Sequence, residues 1–207
     1  MASSARPGSL PQLIVITDWQ ISDLLDRLDA VLALGPSVAV QHRHPGAADR
    51  LFFEEGRALA LRCARSANPL FVNGRLDVAL LLDAHLHLPA RGIAVADVRP
   101  HMPEERWVSI AVHDSQEAAA SKGADVALIS PVYPPGSKLT DDRPILGPKG
   151  FQQLAQEVRC AAFALGGITP ENAKELAGAA GFAAISSVLK ASNPRQAAAS
   201  LLRSPRA

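Results

Sequence analysis

Short apolar runs alternate with amphipathic segments along most of this chain. Their length and composition predict β-strands at 13–17, 38–41, 69–73, 84–88, 106–113, 125–130, 160–167 and 182–186. Helical patterns follow them at 22–34, 47–66, 76–82, 95–99, 114–123, 150–158, from 169 onward and at 194–202. Ser22 is a predicted N-cap, and Asp114 with Glu117 forms a predicted capping box. The strands are apolar on both faces, which is typical of a parallel sheet covered by helices.

This order of elements predicts the fold class. Eight strands that alternate with helices favour a closed (β/α)8 TIM barrel over an open doubly wound sheet, which usually has fewer strands. We expect residues 1–12 to form a flexible N-terminal tail and residues 13–207 to form one domain. The Pro- and Gly-rich segment 131–148 is long for a barrel of this size, and we expect a functional or mobile loop there.

Composition narrows the range of partners. The chain has 21 basic and 20 acidic residues, so it lacks the basic excess of a nucleic-acid-binding protein. No apolar run reaches the roughly 18–20 residues of a membrane span, and the first residues lack an apolar signal core. We therefore expect a cytoplasmic protein with no membrane partner. Cys63 and Cys160 have no metal-binding spacing and are interpreted as reduced structural thiols.

Candidate chemistry collects at the ends of the strands. In a barrel, the active site lies at the carboxyl ends of the strands. The residues that end the predicted strands include a Gln, an Arg, several His and two Gly/Ser turns: Thr17, Asp18, Gln41, His42, Arg43, His44, Asn73, Gly74, His87, His113, Ser130, Gly166, Gly167, Ser186 and Ser187. We expect a polar site at this rim.

A phosphate site is predicted at the last two strands. The loops after the seventh and eighth strands of barrels often bind phosphate, and glycines let backbone N–H groups approach the anion. Gly166, Gly167 and Ser186 are the candidates, although a Gly-Gly pair is also compatible with a simple tight turn. Lys138 could close over the same anion, and Arg43 could bind a carboxylate or phosphate unless it is a solvated loop charge.

Histidines are candidates for acid–base chemistry. His113 ends the fifth strand just before a helix N-cap, where an imidazole can act as an acid or a base or can simply hydrogen-bond a neighbouring strand. His42 and His44 flank Arg43, and the strand period turns at least one of them away from the barrel interior. His85 and His87 share one face of the fourth strand, but no carboxylate nearby completes a metal site.

Several motifs resemble one known family. The segments AVQHRHPGA, LFVNGRLDVAL, HLHLP, SIAVHDSQEA, GADVALISPVYPPGSK, ALGGITPENAKEL and GFAAISSVL follow, in order, the landmarks of the thiamine phosphate synthase superfamily. This superfamily contains the synthase, which joins a pyrimidine methyl diphosphate to a thiazole phosphate with Mg²⁺, and the TenI-type thiazole tautomerases. The resemblance extends from about Leu13 to Leu202 and implies a barrel fold, like the one the apolar pattern predicts.

The chain departs from the synthase motifs where that enzyme binds metal and diphosphate. Gly74 and Gly92 stand where the family has the two metal-binding Asp residues, and Pro45 stands where it has a Lys. Ala111 replaces a Ser two residues before His113. The phosphate loop keeps Ser137 and Lys138, and the third-strand motif keeps Asn73. These losses remove the hard carboxylate ligands and the cationic side chain that the synthase needs for Mg²⁺ and diphosphate.

The resemblance therefore implies a TenI-type, cofactor-free thiazole tautomerase with His113 as the acid/base. It also implies that the substrate is held by residues matching the family's binding positions: Gln41, Arg43, Asn73, Ser137, Lys138, Gly166, Gly167, Ile185 and Ser186. Arg43 is expected to orient a carboxylate, and a homodimer is expected from the family. Two alternatives remain open: a Mg²⁺-dependent synthase that uses Asp97 or Asp18 instead, and an inactive protein that binds thiazole phosphate or thiamine phosphate.

Overall fold

The predicted alternation of strands and helices closes into a barrel. In a computed structural model, which describes residues 8–134 and 143–205, eight strands pair in parallel in chain order and β8 pairs with β1. The strands are β1 (Leu13–Ile16), β2 (Val38–His42), β3 (Leu70–Asn73), β4 (His85–Leu88), β5 (Val108–Val112), β6 (Val126–Ile129), β7 (Ala161–Leu165) and β8 (Gly181–Ala184). The predicted (β/α)8 TIM barrel is confirmed.

Helices surround the barrel between the strands. They are α1 (Leu24–Leu32), α2 (Asp49–Ala64), α3 (Leu76–Leu81), α4 (Val95–Val98), α5 (Ser115–Ala120), α6 (Gly147–Glu157), α7 (Pro170–Ala173), α8 (Ser186–Leu189) and α9 (Pro194–Leu202). The prediction of Ser22 as an N-cap is wrong, because α1 has Asp23 in that position. Asp114 is confirmed as the N-cap of α5, since its Oδ1 accepts a hydrogen bond from the Glu117 N–H at 2.8 Å. The short helix α8 was not predicted.

The strands bury both faces, as their apolar runs predicted. One set of side chains fills the barrel interior, and the other packs beneath the helices. Within β1, for example, Ile14 and Ile16 belong to the interior cluster, whereas Leu13 and Val15 belong to the layer under the helices. Phe71, Trp107 and Phe163 provide most of the aromatic volume of the interior. The open end of this packed interior is where the site lies.

The start of the chain is tied to the barrel earlier than predicted. Residues 1–7 of the expected tail lie outside the described residues. Leu10, however, packs against the interior cluster, and the Gln12 backbone bonds to both neighbouring strand ends, donating to Ser37 O and accepting from Phe182 N. The ordered domain therefore begins before residue 13.

Both cysteines are free thiols, and one of them is buried. Cys63 is buried, Cys160 is half-buried, and neither forms a disulfide. Burial raises the pKa of the Cys63 thiol to about 12 and that of the Cys160 thiol to about 11, so both are poor nucleophiles at neutral pH. Across residues 8–134 and 143–205, no helix is long and apolar enough to span a membrane.

Gly181, at the start of β8, is the position where the barrel interior tolerates no side chain. A Cβ there would lie 2.4 Å from Phe163 Cε1 and 2.8 Å from Gln12 O. We expect Gly181→Ala to lower the free energy of unfolding by about 1–3 kcal/mol, because a ring and a backbone must both move. Urea unfolding measures the change.

Gly56, within α2, provides a matched control for this prediction. A Cβ there would lie 2.8 Å from Leu82 Cδ1, the end of a flexible side chain. Ala is also favoured over Gly inside a helix by about 1 kcal/mol. Gly56→Ala should therefore cost less than Gly181→Ala, and the reverse order would contradict this account of the β8 contact.

Candidate active site

A cavity of about 1120 Å³ opens at the carboxyl ends of the strands. Its volume is suited to a substrate-sized ligand. The structure brings together eight of the predicted site residues in its lining: Gln41, Arg43, Asn73, His113, Gly166, Gly167, Ile185 and Ser186. The other two, Ser137 and Lys138, lie outside the described residues, and so do all of residues 135–142 of the predicted 131–148 loop.

The Gly166–Gly167 turn forms one wall of this cavity. Both residues have positive φ, at 99° and 60°, which favours glycine. The turn is held from two sides: the Tyr133 N–H donates to Gly166 O at 3.0 Å, and Asn172 Nδ2 donates to Gly167 O at 2.9 Å. Among the described residues, no backbone carbonyl accepts from the Gly167 N–H. A fixed turn with a free N–H beside a cavity is suited to binding an oxyanion.

Helix α8 begins on the same side of the cavity. Ile185 is its N-cap, and Ser186 and Ser187 line the cavity next to the glycine turn. The strand order explains this proximity, because β7 and β8 are paired neighbours in the barrel. The structure therefore places the predicted phosphate-binding groups together, as barrel loops after the last two strands often do.

His113 is oriented by Glu117. The His113 Nδ1 lies 2.7 Å from Glu117 Oε2, and the same carboxylate oxygen accepts from the His113 backbone N–H at 2.7 Å. A carboxylate accepts hydrogen bonds only, so Nδ1 carries a proton in this pair. In the neutral ring, Nε2 then has the free electron pair. Both residues line the cavity, and the arrangement gives a base with a fixed tautomer.

His87 lies deeper in the same cavity. Its Nδ1 is 2.8 Å from Ser109 Oγ, and the ring is buried. Burial, together with the positive charge of Arg43 and the neighbouring His113, lowers the pKa of His87 to about 3. The imidazole is therefore neutral at physiological pH. It can donate or accept one hydrogen bond to a ligand but carries no charge.

The neutral, buried imidazoles make stability depend on pH. Burial is the main cause that lowers the pKa of His87 to about 3, compared with about 6.5 in the unfolded chain. A lowered folded-state pKa means that the unfolded chain binds the proton first. The free energy of unfolding therefore falls as the pH drops from 6.5 toward 3. At pH 5 this single ring should lower it by about 2 kcal/mol.

The variant His87→Gln tests this contribution. Between neutral pH and about pH 5, the free energy of unfolding of the wild type should fall by about 2 kcal/mol more than that of the variant, because only the wild type carries this ring. Urea unfolding of both proteins at the two pH values measures the difference. His42 and His85, whose pKa values burial lowers to about 4 and about 3, remain in both proteins. A variant with the same acid dependence as the wild type would contradict the prediction.

Gln41, Arg43 and Asn73 line the opposite wall of the cavity. Gln41 Nε2 donates to Asn73 Oδ1 at 3.4 Å, while the buried Gln41 Oε1 has no partner among the described residues. The Arg43 guanidinium is half-buried and makes no hydrogen bond within the described part of the chain. Burial lowers the pKa of Arg43, and only the charge of Asp18 opposes this. Unsatisfied groups of this kind are suited to a polar, anionic ligand.

The described residues do not fit a Mg²⁺ site. Gly74 provides no carboxylate. A Cβ on Gly92 would lie 2.9 Å from Pro89 O, so the backbone at Gly92 has no room for an Asp. The carboxylates that line the cavity are Asp114 and Glu117, which cap α5 and hold His113. No group of three His, Cys, Asp or Glu within residues 8–134 and 143–205 is arranged to hold a metal ion.

The alternative metal ligands lie elsewhere. Asp18 does not line the cavity, and its Oδ2 lies 3.5 Å from Lys190 Nζ. Asp97 lies in the first turn of α4 and is also absent from the lining. These positions do not support the expectation that either residue replaces the missing carboxylates of a synthase.

Three other histidines, His42, His44 and His85, lie outside the cavity. His42 Nε2 lies 2.8 Å from Phe52 O in α2, so this side chain points away from the barrel interior. His44 pairs with Glu55, with 2.9 Å between Nδ1 and Oε2, and stacks on Trp19. His85 accepts a hydrogen bond at Nδ1 from the Trp107 backbone N–H. The strand period predicted that at least one of His42 and His44 turns away from the barrel interior, and His42 does so.

Sequence reasoning missed the roles of three residues of the site. Glu117 was predicted only as part of a capping box, because His113 lies before the N-cap of α5 and its four-residue spacing from Glu117 is not a helical repeat. His87 was considered only as a metal ligand. Arg91 follows β4 and also lines the cavity, but no motif pointed to it.

Comparisons with known proteins agree on one family. The family model described as thiamine monophosphate synthase matches residues 13–188. A thiamine-phosphate synthase of Chlorobium luteolum is 36% identical over 197 residues, covering 93% of this chain and 92% of the relative. A putative thiamine-phosphate synthase of Geobacter sulfurreducens is 36% identical and covers 92% of both chains. A thiamine phosphate pyrophosphorylase from Pyrococcus furiosus superposes with a TM-score of 0.80 at 29% identity, covering 92% and 93%.

Proposed function

The chain belongs to the thiamine monophosphate synthase family, and on this basis we propose that it is an enzyme of thiamine biosynthesis that acts on a phosphorylated thiazole. The observation that carries the proposal is the cavity wall formed by Gly167 and the start of α8. The phosphate would accept hydrogen bonds from the Gly167 N–H and the Ser186 hydroxyl. His113 Nε2 would then face the heterocycle.

The first candidate reaction is the coupling catalysed by thiamine-phosphate synthase. The names of the relatives favour it over the tautomerase that the motifs suggested. Coupling joins the thiazole ring nitrogen to a pyrimidine methylene and releases diphosphate. In this chain, Gln41 and Asn73 would contact the pyrimidine, and Arg43 would bind the leaving diphosphate. Because the described residues do not fit Mg²⁺, we assign no step to a metal ion.

The second candidate is a metal-independent proton shift in a carboxylated thiazole phosphate. The observation that favours it is the pair formed by His113 and Glu117, together with the glycines at positions 74 and 92. Nε2 would take a proton from ring carbon and return one to the exocyclic carbon, so the exocyclic double bond becomes part of the aromatic ring. Arg43 would bind the carboxylate. One proton leaves the substrate and one returns to it, and its oxidation state does not change, so the reaction needs no cofactor.

Two assays on one preparation separate the candidates. Coupling is measured as thiamine phosphate formed from hydroxymethylpyrimidine diphosphate and thiazole phosphate, with and without Mg²⁺. The proton shift is measured by NMR as aromatisation of the carboxylated thiazole phosphate. Coupling product supports the first candidate, and aromatisation without coupling supports the second. Binding of thiazole phosphate with neither product would favour the inactive binder, and no binding would overturn the proposal. A homodimer, expected from the family, remains a separate proposal that sedimentation equilibrium tests.

A further inference from the structure

The loop after β4 carries a cation at the place where a metal-binding carboxylate is missing. The Gly92 N–H donates to Pro89 O at 2.8 Å and closes a four-residue turn. Arg91 is the third residue of this turn and lines the cavity. Because a Cβ on Gly92 would meet the same Pro89 O at 2.9 Å, the turn that positions Arg91 also leaves no room for an Asp at Gly92.

Arg91 has no internal partner. Within the described part of the chain, its guanidinium makes no hydrogen bond or ion pair. Some arginines outside the cavity are paired with carboxylates: Arg75 pairs with Asp49 and Asp77, and Arg106 pairs with Asp83. Arg43, which directly follows β2, lines the same cavity and has no partner side chain at hydrogen-bond distance either. The cavity thus holds two guanidinium groups that form no hydrogen bond or ion pair with a carboxylate of the described residues.

Topology places these two cations on one side of the cavity. The strands that lead to them, β2 and β4, are both paired with β3. In a ring of eight strands, β3 lies opposite β7, which carries the Gly166–Gly167 turn. A ligand whose phosphate lies at the glycine turn would therefore present its far end, or a second ligand, to the two arginines. Guanidinium groups bind carboxylate and phosphate oxygens through paired N–H donors.

We propose that Arg91 and Arg43 form a binding subsite for a second oxyanionic group that works without a divalent metal ion. It rests on the proposed function only for the source of the anion, which would be a diphosphate in the coupling reaction and a carboxylate in the proton shift. The cations occupy the side of the cavity where the family's synthase binds Mg²⁺. Arg91 is thus a binding residue, positioned by the Pro89–Gly92 turn, whose charge replaces that of the metal ion.

Isothermal titration with inorganic pyrophosphate in EDTA tests this subsite. Pyrophosphate can also bind at the glycine turn, so the titration is made in a Gly167→Ala parent, in which that wall is disturbed. We expect the parent to bind pyrophosphate in EDTA, with no marked gain on adding Mg²⁺. Adding Arg91→Ala should weaken binding about tenfold, which corresponds to the loss of one charged contact.

Arg65→Ala, on the exposed end of α2, is the matched control and should bind like the parent. Competition by malonate that depends on Arg91 would show that the subsite also takes carboxylates, and lack of competition would restrict it to diphosphate. Equal affinity in the parent and its Arg91→Ala variant, or binding that requires Mg²⁺, would overturn the inference. Titration of thiazole phosphate into the single variant Arg91→Ala, which keeps Gly167, reports on the glycine turn. A failure of the proposed function is therefore seen separately from a failure of this inference.

Discussion

Replacing Gly167 with Ala is expected to weaken the binding of thiazole phosphate by roughly 10- to 100-fold, the effect of losing one or two well-placed hydrogen bonds to a charged group. A Cβ at this position would lie 2.6 Å from Pro134 O and 2.8 Å from Tyr133 Cβ. The residue also has a φ of 60°, which is strained for Ala. The turn and the segment after β6 must separate, and the Gly167 N–H then leaves its position at the cavity wall.

Gly178→Ala separates this effect from backbone strain alone. Gly178 has a φ of 85°, but a Cβ there would meet only Ala155 Cβ, at 3.8 Å. Both variants should lose some stability in thermal unfolding, whereas only Gly167→Ala should lose affinity in calorimetric titration. Equal affinities in the two variants would show that the glycine turn does not bind the phosphate, and this would remove the main support for the proposed substrate class.

The apolar pattern was sufficient to predict the barrel, and the reason lies in β6 and its neighbours. Val126–Ile129 is buried on both faces, as a strand between a packed interior and a helix layer must be, and polar residues mark its end. The number of predicted strands, eight, then favoured a closed barrel over an open sheet. The start of α6 was less predictable, because Gly147 and Pro148 resemble a loop but form the first turn of this helix.

Helix α8 shows where periodicity fails. Ser186–Leu189 spans only four residues, too few to display a helical repeat, and its first residue was predicted as the end of the eighth strand. Its position depends on the pairing of β7 with β8, which is a tertiary property. The sequence therefore predicted the candidate phosphate-binding residues that line the cavity, but not the element that presents Ser186.

The side chains between strands were the hardest to predict. The partnership of His113 with Glu117 crosses a strand–helix junction, where neither the strand period nor the helix period applies. Arg91 depends on a turn whose closure by the Gly92 N–H is visible only in three dimensions. Family motifs identified what was missing at Gly74 and Gly92, but only the contact with Pro89 O shows that the backbone at Gly92 has no room for an Asp.

The variant His113→Asn should distinguish the two candidate reactions by the size of its effect. If the enzyme moves a proton between carbons, the loss of Nε2 removes its acid/base, and kcat should fall by about 10²–10⁴-fold. Coupling breaks no C–H bond, so the same variant should then lose far less. Asn keeps the backbone N–H that donates to Glu117 Oε2, so the start of α5 is preserved. The NMR aromatisation assay and the coupling assay measure the two rates.

Glu117→Gln completes the argument, because it acts on the reaction only through His113. An amide can donate as well as accept, so the variant no longer fixes the proton on Nδ1. In the proton shift, kcat should fall by less than in His113→Asn, KM should change little, and the double variant should be no worse than His113→Asn alone. Additive losses would mean that Glu117 contacts the substrate independently. Full turnover in His113→Asn would exclude the imidazole as the base and leave coupling as the stronger candidate.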